Sequence, residues 1–149
     1  IWWHLYLSRH LEIAHQSWKT SLRKLSELQM PNIKKVDKDW GYELWIHNDE
    51  KYCGKLLYFE KGKNCSFHYH KIKHETFYLQ SGKMKCRFVP LDDLENASQY
   101  EWVVLEKGDV KEIEPNLVHQ MCALEESELF EFSTQHFDED SYRITRGLD

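Results

Sequence analysis

From Trp40 onward the apolar residues stop recurring at helical spacing and gather in short β-rich runs, with no helical pattern between them. The runs are Glu43–His47, Lys55–Glu60, Cys65–His70, Glu75–Gln80, Lys83–Val89, Tyr100–Leu105, Val110–Glu114, Val118–Leu124 and Glu128–Ser133. Lys61–Gly62–Lys63, Ser81–Gly82 and Lys107–Gly108–Asp109 supply turn chemistry between several of them. Many short strands without intervening helices predict an antiparallel sandwich or barrel, an all-β fold. Ahead of that stretch, Leu11, Ala14, Trp18, Leu22, Leu25 and Leu28 recur at spacings of three and four, the stripe of an amphipathic helix. Ser8 suits its start, and Pro31 closes it. The expected organisation is a helical extension over 1–33 followed by a β-barrel domain over 34–149.

Composition narrows the setting. A chain of 149 residues, 41% hydrophobic and 14% aromatic, has the material for one sizeable core and is not a disordered polymer. No apolar run approaches the ~20 residues that a membrane helix needs. The opening segment lacks a basic n-region and a small-residue cleavage site, so no secretory signal is expected. Net charge is −5, and the acids concentrate beyond residue 88, so a nucleic-acid partner is not expected. The four cysteines, Cys53, Cys65, Cys86 and Cys122, are scattered without a C-x-x-C. That usage fits free thiols in a reducing compartment, and the cytoplasm is the expected location.

His68 and His70 stand two apart on an expected strand, so alternation puts both side chains on one face, roughly 6.6 Å apart. Imidazoles at that separation can converge on one ion at about 2.0–2.1 Å from each nitrogen. Glu75 opens the returning strand and offers an oxygen, and His119 at the start of a later strand offers a third imidazole. The expected set is three histidines and one carboxylate. Phe67 and Tyr69 point away from that face, toward sheet-to-sheet or subunit packing. Cys65 and Cys122, each three residues from a histidine of the set, fall on the opposite strand face as core thiols.

The full spacing, Gly62-x5-His68-x-His70-x4-Glu75-x6-Gly82, resembles the first motif of the cupin superfamily, and every fixed position of that motif is filled. The second cupin motif is matched with departures. Six residues, not five, separate Gly108 from Pro115, Leu117 stands where a Gly is usual, and Ala123 replaces the final Asn. The resemblance covers residues 40–134 and implies a cupin double-stranded β-helix, a jelly-roll barrel, holding one divalent ion: Zn, Mn, Fe or Ni. More narrowly, Trp40-Gly41-x-Glu43, Lys55, Gly62, Ser66, His70, Lys73 and Glu75 resemble the cupin domain of type II mannose-6-phosphate isomerases. That family carries Gln at the place of His68 and Arg at that of Lys73. The first difference enriches the ligand set; the second keeps a charge and loses the guanidinium fork.

An ion held by neutral imidazoles and a carboxylate leaves positions for a substrate hydroxyl or carbonyl, or for O2. The leading expectation is a sugar or sugar-phosphate isomerase or epimerase. An Fe(II) dioxygenase and a non-enzymatic small-molecule-binding cupin are the alternatives. His74 and Lys73 are the candidate catalytic residues, and Lys55, Lys73 and Tyr58 the candidate substrate-binding ones, with a small carbohydrate as the expected partner. Exposed apolar sheet and the amphipathic helix predict a homodimer.

Overall fold

A computed structural model describes residues 32–145 and, before them, Lys19 alone. The helix expected over 8–30 therefore lies outside the described residues. Within 32–145 the chain forms eleven strands: β1 (Lys34–Lys38), β2 (Gly41–Asn48), β3 (Cys53–Phe59), β4 (Phe67–Tyr69), β5 (Glu75–Ser81), β6 (Lys83–Pro90), β7 (Val103–Glu106), β8 (Val110–Ile113), β9 (Leu117–Ala123), β10 (Ser127–Ser133) and β11 (Tyr142–Thr145). They make two antiparallel sheets, ordered β1-β2-β3-β10-β5-β8 and β11-β4-β9-β6-β7. Among the described residues, no helix is long and apolar enough to cross a membrane.

Each of the nine expected strands is present, displaced by a few residues at its ends. The run Cys65–His70 contracts to the three residues of β4. Two further strands, β1 and β11, lack a clear sequence pattern. Both are short edge strands, KKVDK and YRIT, in which charged residues break the apolar pattern. A 3₁₀ segment, Leu91–Gln99, stands between β6 and β7 in addition to the expected strands.

Alternation along the strands builds the core. On β3 and β5 every second residue is buried, and Leu57, Phe59, Phe77 and Leu79 meet Met84, Cys86 and Leu129 between the sheets. A second cluster of Phe67, Val89 and Val118 lies on the other face of the five-stranded sheet. Leu91, Leu94 and Tyr100 from the 3₁₀ segment and its end cover it, together with Tyr69. Phe67 and Tyr69 thus point away from the histidines as expected; Phe67 sits in the cluster under this segment, and Tyr69 packs on that cluster and stacks on Tyr142.

The tight connection between β5 and β6 depends on Gly82, whose φ is +83°. A Cβ there would stand 2.2 Å from the Glu126 carbonyl oxygen and 2.3 Å from the Ser127 hydroxyl. Only glycine fits both restrictions.

Candidate metal centre

The histidines meet because two strands are in register. His68 on β4 pairs directly with His119 on β9, and His70 follows β4 by one residue. One ligand atom from each ring lies within 4.8 Å of the other two. Backbone carbonyls fix all three tautomers. His68 Nδ1 donates to Ser66 O at 2.9 Å, His70 Nδ1 to Asp140 O at 2.7 Å, and His119 Nδ1 to Leu117 O at 3.0 Å. A carbonyl only accepts, so each Nδ1 carries the proton and each Nε2 keeps a lone pair. His119 Nε2 is buried without a hydrogen-bond partner. Burial pulls His68 down to about 4 and also lowers His70 and His119, so the rings are neutral at pH 7. Three neutral, converging imidazoles with an orphaned lone pair fit a divalent ion.

Glu75 starts β5 beside them and lies outside that mutually close trio. Its Oε2 is 3.5 Å from His119 Nε2 and has no hydrogen-bond partner, and its Oε1 is 3.7 Å from His70 Nε2. Lys73 Nζ donates to Oε1 at 2.6 Å and also to Glu131 Oε1. Lys55 stands directly across from Glu131 in the β3–β10 register, its Nζ 3.6 Å from Glu131 and 3.8 Å from Glu43. All four groups of the Lys55–Glu131–Lys73–Glu75 chain are buried. Burial opposes the carboxylate charges, yet Lys73 overrides it and lowers Glu75; with Lys55 it takes Glu131 down to about 2. Burial likewise opposes the Lys73 ammonium, and the two carboxylates more than offset it, raising Lys73.

Two residues of the site carried no local signal in the sequence. Glu131 belongs to the acid-rich end of the chain, where a solvated surface is the simple reading, but β10 turns it into the barrel. Asp140 is 67 residues or more from the groups it holds. Its carboxylate accepts from the Lys71, Ile72 and Lys73 amides at 2.9–3.2 Å and so shapes the loop after His70. The backbone oxygen of the same residue orients His70.

These side chains line a cavity of about 310 Å³, walled by Trp40, Leu57, Phe59, Phe77 and Met121. Lys55 and Lys73 both reach it. His74 and Tyr58 do not. The His74 ring is 2.9 Å from the Glu112 carboxylate on the exposed side of the loop, and the Tyr58 hydroxyl donates to Glu126 at 3.0 Å. Cys65, expected on the opposite face, also lines the cavity, because the chain before β4 is not regular strand. A larger groove beside the 3₁₀ segment, about 920 Å³, contains none of the histidines.

No family model matches the chain, and no curated protein matches it. Solved structures do. CapF, a capsular polysaccharide assembling protein from Staphylococcus aureus, is 18% identical with a TM-score of 0.67, over 80% of this chain and 33% of that one. Oxalate decarboxylase from Bacillus subtilis is 15% identical with a TM-score of 0.66, over 78% of this chain and 32% of that one. KdgF from Halomonas sp. is 16% identical with a TM-score of 0.59, over 71% of this chain and 91% of that one. The chain thus spans about a third of the length of CapF and of oxalate decarboxylase. These likenesses define the fold as an all-β cupin jelly roll. On that fold the chain carries a three-histidine site whose residues suit a divalent ion.

Proposed function

We propose that the protein is a metal-dependent enzyme that moves a proton on a small carbohydrate, as an aldose–ketose isomerase or an epimerase of a sugar or sugar phosphate. The observation that carries this reading is the free Oε2 of Glu75, buried and without a partner, 3.5 Å from His119 Nε2. A divalent ion bound by His68, His70 and His119 would polarise a substrate carbonyl or hydroxyl. Lys73 fixes the other Glu75 oxygen and keeps the carboxylate ionised, leaving Oε2 as the base. Lys55, whose nearest carboxylate oxygens are 3.6 and 3.8 Å away, has donors to give to a substrate hydroxyl. A cavity of about 310 Å³ suits a molecule the size of a monosaccharide. The role of CapF in capsular polysaccharide assembly supports a carbohydrate, and so does the resemblance to mannose-6-phosphate isomerases.

Glu75→Gln tests it. Turnover of a sugar phosphate should fall on the order of 100-fold or more while metal affinity holds, because a positioned base is lost and no imidazole is. If metal affinity collapses as well, Glu75 is the fourth ligand and not the base. Oxygen uptake with bound iron would replace this reading by the Fe(II) dioxygenase. A sugar retained on purification, with no turnover, would replace it by the binding protein.

The same proposal includes the helical extension over 1–33, a homodimer, and a cytoplasmic setting for the four free thiols. Leu44, Leu56, Phe130 and Tyr78 stand in register across β2, β3, β10 and β5 on the face away from the cavity. Ile46 and Phe132 extend that apolar row, 41% and 55% exposed. A second copy of the chain would cover it. Light scattering should give twice the chain mass, and Phe132→Glu should halve it. A monomeric parent protein removes the dimer from the account.

A further inference from the structure

The charges that line the cavity cancel before any ion is bound. Its cations are Lys38, Lys55, Lys73 and Arg143. Its carboxylates are Glu43, Glu75, Glu131 and Asp138, equal in number to its cations. Most of these groups are committed to one another. Lys38 is 3.3 Å from Glu43, Lys55 lies between Glu43 and Glu131, and Lys73 bridges Glu75 and Glu131. Asp138 accepts from His136 Nε2 at 3.1 Å. Arg143 differs: among the described residues no carboxylate oxygen lies within 4.0 Å of it.

Its position follows from strand geometry. Arg143 is on β11, directly opposite His68 in the β11–β4 register. Its neighbour Tyr142 turns the other way and stacks on Tyr69, with ring centroids 5.1 Å apart. The guanidinium therefore faces the cavity from the strand next to the histidines. An ion on those histidines adds two positive charges to a cavity that holds no further acid to balance them. Uncompensated charge in a partly desolvated site is costly, and an anionic ligand reaching from the ion to the solvent-exposed Arg143 at the mouth would supply the counter-charge.

We propose that the cavity takes an anion, a small molecule carrying a carboxylate or a phosphate, with Arg143 holding the charged group at the mouth. The planar fork of arginine matches either group with two parallel hydrogen bonds. The inference rests on the metal part of the proposed function and is independent of the reaction assigned there. It separates sugar phosphates and sugar acids from neutral sugars as ligands. Arg143 acts as a specificity residue, and the proton-transfer group is Glu75.

Calorimetry on the full chain loaded with Zn tests it, with acetate, inorganic phosphate and neutral acetamide as probes. At least one of the two anions should bind about tenfold or more tighter than acetamide, and the better of them identifies carboxylate or phosphate as the group recognised. Arg143→Gln should weaken that anion about tenfold and leave Zn affinity unchanged. Equal binding of acetamide and both anions, or no binding of either anion, overturns the proposal. So does anion affinity unchanged in Arg143→Gln, which would mean that the ion alone holds the probe. Anion preference that persists in a protein without sugar turnover would count against the isomerase reading and leave this one standing.

Discussion

His119→Ala should lower affinity for a divalent ion on the order of 100-fold or more, because one of three converging imidazoles is lost. His68→Ala should match it, since the two residues face each other across one strand pair and each carbonyl-bound Nδ1 leaves its Nε2 for the ion. The barrel should survive both changes. Each removes a ring from the cavity wall and leaves the core of Leu57, Phe59, Leu79, Met84 and Leu129 intact. His136→Ala is the matched control: it lines the same cavity but lies outside the trio. Calorimetric titration with Zn or Mn reads all three variants. Unchanged affinity in His119→Ala would make its buried, unpartnered Nε2 a structural accident and reduce the centre to His68 and His70.

Lys73→Met should destabilise the fold by about 3–5 kcal/mol, the usual cost of removing one partner from a buried ionic group. The ammonium serves two carboxylates at once, and without it Glu75 and Glu131 face each other in the barrel with only Lys55 near Glu131. Neutralising one acid as well, in Lys73→Met with Glu131→Gln, should recover part of the loss, which a double-mutant cycle measures. Acid separates the variants further. Glu131 is held at about 2 in the folded protein against an ordinary 4.5. Its contribution to parent stability is therefore fully present above pH 4.5 and disappears as pH falls toward 2. In Lys73→Met the sign reverses, since Glu75 has lost its cation and Glu131 keeps only Lys55, so the buried pair favours protonation. As pH drops from 7 to 5 the parent should lose melting temperature, because its unfolded histidines take up protons that buried His68, His70 and His119 do not. Lys73→Met shares those histidines and should lose less or gain. Parallel pH profiles would mean that Lys73 does not hold the pair.

Much of the centre was legible because it depends on short-range rules. Alternation places His68 on one face of its strand, and the motif spacing points to Glu75 and His119, which the fold brings in from β5 of the other sheet and from β9 beside β4. One departure in the second motif also has a local explanation. The turn into β9 needs one residue with positive φ, and Asn116 supplies it at +67°, one position before the Leu117 that replaces the usual Gly. The Asn116 amide then donates to His70 O at 2.7 Å, which ties this turn to the loop of the site. The same alternation takes Tyr58 off the site: it is three residues from Lys55, so the two cannot share a face. His74 has only adjacency to Glu75 in its favour, and the loop turns its ring outward. Asp140 and Glu131 were beyond such rules. Asp140 reaches the site from the far end of the domain, and whether Glu131 faces water or the barrel is decided by the pairing of β10 between β3 and β5.

The central claim is that His68, His70 and His119 hold one divalent ion. Titration of Zn into chelator-stripped protein at pH 7 tests it most directly. The account predicts saturable binding of one ion per chain, lost in the His68→Ala, His119→Ala double variant. Absence of uptake by the folded parent, or uptake that the double variant retains in full, would contradict it.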